Sequence, residues 1–497
     1  MSDSPARAEQ TPPKGVIARV KDFFAAFTDL RHLPRAFWIV NLFWMIESMG
    51  YFGILTLMDE FLPRDIGVSD WVAGLMIAFF TGLVTLFMIG LGGLAEKLGV
   101  RYGLLLAVVL CLTSRIAYST IPLLHLGVAA GAALILAALL ITAVGEGMAQ
   151  PVSYAGVKYY TDEKTSSMGY GFLYALMNAG IFVIGWISPN IRVPVDKVLE
   201  ARTTGAAEPT TIWRFFADWG ISGLNAVNWA CAAITAFSMI FLLVLMTKHA
   251  EAQRIRAAEE KSADEKSAEA ARPWSDRAIR YFTEGPFSNA RFVFFIFMLL
   301  PVQTLFAHQW LTMPAYLLRA YPQGVKDHME QLVNWINPGI IFFGVPVITA
   351  MTRRVNVYTL MIVGSAVSAV PTFLLGLGPH TSILIIYLVF FSIGEALWSP
   401  RFLQYAAELA PEGKVAQYMG LANVPWLTAK FTTGLYSGYF LGRYCPQGGP
   451  YHTETMWTIY GFIALTSPIG LLLARAWVMR GSLGQVKPAV AAADATA

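Results

Sequence analysis

The sequence contains one short pattern twice, Gly145-Glu146-Gly147-Met148-Ala149-Gln150-Pro151 and Gly394-Glu395-Ala396-Leu397-Trp398-Ser399-Pro400. Glu395 follows Glu146 by 249 residues, half of the 497-residue chain. A Met-Gly pair follows each copy at a similar distance, at Met168-Gly169 and Met419-Gly420. This spacing indicates a duplicated unit. Each copy places a carboxylate inside a long apolar segment, where ionisable side chains are costly and are therefore candidate functional groups.

The composition is that of a membrane protein. Hydrophobic residues make up 56% of the chain and charged residues 14%, with a mean hydropathy of +0.53. A soluble protein of this length would need more charge to cover its surface, and several apolar segments of about 20 residues are long enough to cross a bilayer. The net charge of +4 gives no indication of nucleic-acid binding. Cys111, Cys231 and Cys445 are scattered, so the sequence predicts no metal site, disulfide framework or cofactor.

The apolar segments predict an all-α membrane protein with twelve transmembrane helices in two pseudo-symmetric six-helix bundles. The spans are predicted at roughly 36–58, 70–94, 101–122, 130–157, 167–190, 220–247, 291–318, 331–352, 357–376, 382–407, 415–440 and 453–478. The regions are predicted at roughly 1–35 for a cytoplasmic tail with an interfacial helix, 36–247 for the first bundle, 248–290 for a charged cytoplasmic linker, 291–480 for the second bundle and 481–497 for a cytoplasmic tail.

Lysine and arginine predict the orientation of the chain. They are concentrated in the tails, the linker and the even-numbered loops, for example at Lys97/Arg101 and Arg353/Arg354. The positive-inside rule therefore places both termini in the cytoplasm. The segment Met1–Pro13 lacks the pattern of a cleavable signal peptide. The first span is expected to direct insertion into the cell membrane, and a bacterial inner membrane is favoured.

Two related halves with acidic groups near the bilayer midplane are typical of secondary transporters. The loop after span two, Gly92-Gly93-Leu94-Ala95-Glu96-Lys97-Leu98-Gly99-Val100-Arg101, resembles the signature loop of the major facilitator superfamily, with Glu96 where aspartate is usual. Five further stretches are similar to motifs of its proton-coupled oligopeptide transporter (POT) family. They are Glu47-Ser48-Met49-Gly50-Tyr51-Phe52-Gly53, Gly145–Pro151, Leu173-Tyr174-Ala175-Leu176-Met177-Asn178-Ala179-Gly180, Asn337-Pro338, and Gly394–Pro400 followed by Leu409-Ala410-Pro411.

The resemblance implies a proton-coupled peptide symporter, in which buried acids take part in coupling and cations hold the carboxylate of the peptide. This chain lacks most of those charges. Ser48, Leu55 and Gln150 stand in place of the family's cations, and Trp44 and Val302 stand in place of two of its glutamates. The cationic half of a peptide-binding site is therefore missing, which leaves the transport of ordinary di- and tripeptides open.

Three acids near the middle of predicted spans, Glu47, Glu146 and Glu395, are the candidate proton-coupling groups; the alternative for each is a protonated glutamate bonded to a neighbouring helix. Lys430, in span eleven, either lines the cavity or forms a structural ion pair, for example with Glu395. Arg115 lies within snorkelling reach of the end of span three, which favours a structural role. The candidate substrate-binding residues are Tyr51, Gln150, Tyr174, Asn178, Gln303, Asn337, Glu395, Trp426 and Lys430.

The sequence favours proton-coupled symport of a small, polar, nitrogen-containing solute, such as a peptide or an amino-acid derivative, by alternating access. The alternatives are a proton-driven exporter of a cationic or hydrophobic compound and a transporter-like receptor. No nucleophile–base pair, metal set or phosphate loop indicates an enzyme. The predicted partners are the substrate, protons and the lipid bilayer; the chain is expected to be a monomer that binds no nucleic acid.

Overall fold

The computed structural model describes residues 27–91, 94–162, 165–255, 286–352, 355–408 and 415–479. Within these ranges all regular structure is helical. The N half contains α1 (Arg35–Phe61), α2 (Asp70–Gly90), α3 (Leu94–Thr120), α4 (Val128–Tyr159), α5 (Ser166–Thr204) and α6 (Gly223–Leu245). The C half contains α7a (Ala290–Met298), α7b (Leu300–Leu311), α7c (Met313–Ala320), α8 (Met329–Thr352), α9 (Val357–Ala369), α10 (Thr381–Glu408), α11 (Val415–Tyr444) and α12 (Thr453–Met479).

Ten helices in the described residues are long and apolar enough to cross a membrane. They correspond to α1–α6, to α7a with α7b, and to α9, α10 and α12. The helices α8 and α11 are not in that set, so their assignment as spans rests on their position in the bundle. The predicted all-α membrane fold is confirmed, and the count of twelve spans is supported directly for ten.

The packing of the helices repeats from one half to the other. In the N half, α1 packs on α5 and α6, α2 packs on α4, and α3 packs on α4 and α6. In the C half, α7b packs on α11 and α12, α8 on α10, and α9 on α10 and α12. Each of these contacts recurs six helices later, as expected for a duplicated six-helix unit.

The two halves meet along two pairs of helices, α2 with α11 and α5 with α8. Where α2 crosses α11, a Cβ atom added to Gly74 would collide with the backbone at Gly434 and Gly438, and one added to Gly434 would collide with Ala78. Small residues spaced four apart allow two membrane helices to approach this closely.

The helix of span five and that of span seven depart most from their predictions. The helix α5 continues to Thr204, past the predicted end of span five, and its 39 residues span about 58 Å, well beyond a hydrocarbon core of about 30 Å. Span seven is interrupted after Met298 and after Leu311. Pro301 and Pro314 occupy the first turns of α7b and α7c, where the missing N–H group costs little.

Several sequence predictions lie outside the described residues. They concern most of the interfacial helix at 14–35, the central part of the linker at 248–290, the side chains of Glu96 and Lys97, the Arg353/Arg354 pair, the Leu409-Ala410-Pro411 stretch and the tail at 481–497. The part of the N-terminal region that is described, Phe27–His32, forms a 3₁₀ helix.

Candidate functional site

The first copy of the repeated pattern lies in a buried cluster of charges, which we call the charge triad. Arg115, on α3, places one guanidinium nitrogen 2.6 Å from Oε1 of Glu47, on α1, and another 2.5 Å from Oε1 of Glu146, on α4. All three side chains are at most 5% exposed. The Ser238 hydroxyl donates a hydrogen bond of 3.0 Å to Glu47, and Arg115 also contacts the Thr235 hydroxyl. The triad ties α1, α3, α4 and α6 together.

The charge triad holds two carboxyl groups beside a single guanidinium. If both carboxyl groups were ionised, the triad would carry a net charge of −1, which a dry interior accommodates poorly. The carboxylates and the Cys111 thiol lie within 4.8 Å of one another, a spacing that could also suit a metal ion. Because the Arg115 guanidinium already bridges both carboxylates, the positive charge that such an ion would bring is supplied by the protein itself.

Arg115 does not snorkel to the end of span three, but its two ion pairs support the structural role that the sequence favours. The side chain is 1% exposed and is directed into the N half. The physical reason lies in its neighbours: a Cβ atom at Gly50, one turn after Glu47, would collide with the guanidinium. Gly145, beside Glu146, likewise allows α4 to approach Cys111 on α3. In the sequence, a glycine close to each acid could have indicated that a side chain of another helix packs there.

The second copy of the pattern has a different environment. The Glu395 carboxylate, on α10, accepts a hydrogen bond of 2.6 Å from the Asn337 side-chain amide on α8. Asn337 also donates to the Ser392 hydroxyl at 3.1 Å. Glu395 is 7% exposed, and no cationic side chain in the described residues forms an ion pair with it. Of the two related acids, Glu146 shares an arginine with Glu47, whereas Glu395 has no cationic partner in the described part of the chain.

Lys430 is half-buried in the middle of α11 and has no ion pair or hydrogen bond within the described residues. The suggested ion pair with Glu395 is therefore not formed. One turn earlier, the Trp426 ring stacks on Trp398 with centroids 6.2 Å apart and meets Phe306 edge-on at 5.5 Å. An unpaired lysine at this depth requires a wet surrounding.

The remaining predicted residues fall into two groups. Tyr174 is 42% exposed and lies within electrostatic range of Glu395 in the opposite half, while the Asn178 amide bonds to the Tyr174 carbonyl within α5. Gln150 is half-buried and bonds to Tyr154. Two residues lie inside a single half: Tyr51 is beside the charge triad, with Phe80 and Thr142, and Gln303 is fully buried in α7b.

Sequence reasoning missed Trp310, on α7b. Its ring packs against Phe52 of α1 with centroids 5.3 Å apart, so it forms a contact between the two halves. The indole N–H has no hydrogen-bond partner among the described residues. A buried donor without a partner is uncommon and is available to a ligand. Only the predicted location of span seven could have drawn attention to this residue.

A set of ion pairs, which we call the clasp, joins the two halves at the end of the molecule where α1 ends and α2 begins. The Arg319 guanidinium, on α7c, bonds to Glu60 at 2.9 Å and to both carboxylate oxygens of Asp70 at 2.7 and 2.9 Å. Arg192, on α5, makes two bonds of 2.5 and 2.8 Å to the Glu330 carboxylate on α8. The clasp holds the halves together at this end, which the lysine and arginine distribution predicts to be extracellular.

We expect Arg319→Gln to open the clasp end. Without the guanidinium, the buried Glu60 and the half-buried Asp70 are left with no cation between them, which favours separation of the halves. A cysteine at Asn334, a 1%-exposed residue of α8 that contacts Thr56 of α1, reports the opening in a background free of native cysteines. Its labelling by maleimide in detergent should accelerate at least about tenfold, which corresponds to roughly 1.4 kcal/mol.

The matched control for the clasp is Arg64→Gln. This variant also removes an arginine from an ion pair at the clasp end, but its 2.9 Å contact with Asp196 lies within the N half. Labelling of the cysteine should then keep the parental rate. An unchanged rate in Arg319→Gln, or equal acceleration in both variants, would show that the clasp does not hold the halves together.

Comparison with known proteins agrees with the helix arrangement. A sequence model of the Major Facilitator Superfamily matches residues 42–429. A solved POT family transporter in complex with 5-aminolevulinic acid has 16% identity and a TM-score of 0.64 over 90% of this chain and 97% of that chain. The peptide transporter POT in complex with sulfate has 14% identity and a TM-score of 0.66, over 90% and 96%.

A transporter of a different solute has a similar fold. The nucleoside transporter NupG has 13% identity and a TM-score of 0.62, over 88% of this chain and 99% of that chain. No curated protein matches the sequence. At these identities the structural likeness concerns the fold alone, whereas the family match covers most of the chain. The chain is thus a multi-pass membrane transporter that belongs to the major facilitator superfamily, as a divergent member resembling the POT family.

Proposed function

We propose that this protein is a proton-coupled symporter of a small, polar, nitrogen-containing solute, and that Glu395 is the coupling acid. The observation that carries the proposal is the unequal environment of the two repeated acids. Glu146 shares Arg115 with Glu47, whereas Glu395 accepts a hydrogen bond from the neutral Asn337 amide and has no ion pair among the described residues. A carboxylate without a cation gains or loses its charge without breaking an ion pair.

Alternating access would couple this acid to transport. An unpaired carboxylate is costly in a dry site and far less costly in a wet one. Opening and closing of the space between the halves would therefore change the proton occupancy of Glu395. The side-chain amide of Asn337 can donate to the ionised form and can accept from the protonated form, so both states keep a hydrogen bond. The two states would differ in their preferred conformation, which is the requirement for coupling.

The proposed substrate is a zwitterion with an amine and a carboxylate. A carboxyl oxygen of Glu395 would accept a hydrogen bond from the amine, a contact that the protonated form can also make, and Lys430 would bind the carboxylate in place of the family's missing cations. Tyr174 and Trp426 would contact the apolar part. The support is that Lys430 is half-buried and has no partner among the described residues, and that Tyr174 is exposed. Similar POT family transporters have been solved with 5-aminolevulinic acid and with a thioalcohol conjugated peptide.

The proposal retains the predicted orientation, with both termini in the cytoplasm, and the predicted division into bundles at 36–247 and 291–480. The clasp would then close the extracellular side. The alternatives are distinguished by flux in proteoliposomes under an imposed pH gradient: accumulation of a dipeptide supports the symporter, gradient-driven efflux supports an exporter, and binding without flux supports a receptor.

We expect Lys430 to bind the carboxylate of the substrate. A dipeptide and its C-terminally amidated form should compete unequally for the site, with the free carboxylate binding about tenfold or more tightly, because a charge-assisted bond contributes roughly 1.5–3 kcal/mol. In Lys430→Gln the two forms should bind alike. Equal affinity of the parent protein for both forms would mean that no cation binds the carboxylate. The substrate would then be a simple amine, and the zwitterion proposal would fail.

A further inference from the structure

A surface cavity of about 560 Å³ lies at the clasp end, outside the central space between the halves. It is formed by the connection from α1 to α2 and by the last turns of α11, so it contains residues of both halves. Its size falls within the range of small-molecule sites. The lining residues that matter here are Ser69, Asp70, Trp71, Tyr439, Gly442 and Arg443.

One positive charge in the cavity has no counter-ion among the residues that the structure describes. Asp70 is the acid among the lining residues, and both of its carboxylate oxygens are bonded to Arg319 of the clasp. Arg443 is exposed and has no ion pair or hydrogen bond within the described part of the chain. Arg319 is shared between Asp70 and Glu60, so the argument for a ligand rests on Arg443, whose guanidinium is available to pair with an anion.

The surface next to the cavity is apolar and continuous with the lipid-facing side of the bundle. Trp71 and Tyr439, on either side of the cavity, are 52% and 57% exposed. Phe431, Leu435 and Tyr439 follow one another at four-residue intervals along α11 and are all exposed, so they form a stripe that leads toward Arg443. Aromatic rings at helix ends are typical of the boundary between membrane and water. A soluble anion would contact Arg443 alone, whereas an anionic lipid would contact both Arg443 and the apolar stripe.

We propose that this cavity is a binding site for an anionic phospholipid. Arg443 binds the phosphate, Trp71 and Tyr439 contact the glycerol region, and an acyl chain lies along the stripe of Phe431 and Leu435. The site goes beyond the proposed transport function and does not depend on the identity of the substrate.

Lipid binding at this site favours the closed clasp. The cavity is lined by Asp70, whose carboxylate is bonded to Arg319 of the C half, and by residues of α2 and α11, which belong to different halves. Separation of the halves at this end would divide the cavity. A ligand that binds one conformation better shifts the population toward it, so anionic lipid should stabilise the closed clasp end.

The test is lipid binding by the full chain in detergent, followed by native mass spectrometry. Phosphatidylglycerol should bind about tenfold or more tightly than phosphatidylcholine with the same acyl chains, as expected for one charge-assisted contact. Arg443→Gln should abolish that preference. Gly442→Leu should weaken both lipids, because a side chain at Gly442 extends into the cavity while its Cβ lies at an ordinary 3.6 Å from Asp70.

The controls separate the site from general effects. Lys326→Gln removes a positive charge at the same end without touching the cavity and should bind phosphatidylglycerol like the parent. Soluble glycerol 3-phosphate should bind far more weakly than the lipid. Equal binding of the two phospholipids, retention of the preference in Arg443→Gln, or binding of glycerol 3-phosphate as tight as that of the lipid would each overturn the proposal. Gly442→Leu replaces a helix-destabilising residue and is therefore expected to fold. It tests the binding site even if Arg443→Gln fails to fold.

Discussion

Arg115→Met is expected to destabilise the protein more than any other single substitution in the charge triad. The change removes the guanidinium that bridges Glu47 and Glu146 and leaves two buried carboxylates facing each other without a cation. Breaking a buried ion pair by removing one partner typically costs about 3–5 kcal/mol, mostly as the penalty for the charge that stays behind. The expected result is a large loss of thermal stability in detergent, measured as the fraction that remains monodisperse after heating.

The contribution of the unpaired charges can be isolated by neutralising them. In the triple variant Glu47→Gln/Arg115→Met/Glu146→Gln the cluster retains its approximate volume but carries no charge, and replacement of a complete buried ion pair is often close to neutral. We therefore expect the triple variant to recover most of the lost stability. Glu146→Gln alone leaves the pair of Glu47 and Arg115 intact and should be tolerated. A single Arg115→Met variant as stable as the parent would show that the triad is not ion-paired.

The fold was predictable because its signals are local. Apolar segments of sufficient length predict membrane helices whatever they pack against, and the two Gly-Glu copies revealed the duplication directly. The contact between Asn337 and Glu395 also agrees with the resemblance to the POT family, in which both positions match motifs. These features depend on spacing along the chain and on residue type, both of which the sequence shows.

The partners of the buried charges were not predictable in the same way. Which residue meets Glu146 depends on the rotation of α3 about its axis, and that rotation is fixed by the space that Gly50 and Gly145 leave. The clasp depends on which helix ends of opposite halves meet, and Glu60 and Arg319 are 259 residues apart. No sequence pattern links distant charges, so the sequence could not decide whether Lys430 lines the cavity or forms an ion pair with Glu395. The structure excludes the ion pair with Glu395.

Glu395→Gln is expected to abolish concentrative uptake while substrate binding remains. The amide has nearly the shape of the carboxyl group and can still bond to Asn337, but it cannot carry a proton at any physiological pH. For one coupled proton, a pH difference of one unit can support about a tenfold substrate gradient, since one unit corresponds to about 1.36 kcal/mol. In the variant this ratio should fall to about one. Exchange of labelled for unlabelled substrate, which needs no net proton movement, should continue.

The matched control is Glu146→Gln, because Glu146 occupies the same position in the other copy of the repeat. It is ion-paired to Arg115, so its loss should leave the dependence of uptake on the pH gradient in place. If Glu146→Gln and not Glu395→Gln abolished that dependence, the coupling proton would belong to the charge triad, and the assignment of roles to the two copies would be reversed.

The most direct test of the central claim is uptake by proteoliposomes that contain the parent protein or Glu395→Gln, under an imposed pH difference of one unit. The probes are a panel of labelled dipeptides and 5-aminolevulinic acid. We predict accumulation of at least one probe by the parent, and exchange without accumulation by Glu395→Gln. Absence of gradient-driven accumulation in the parent, or unchanged accumulation in the variant, would contradict a proton-coupled symporter that works through Glu395.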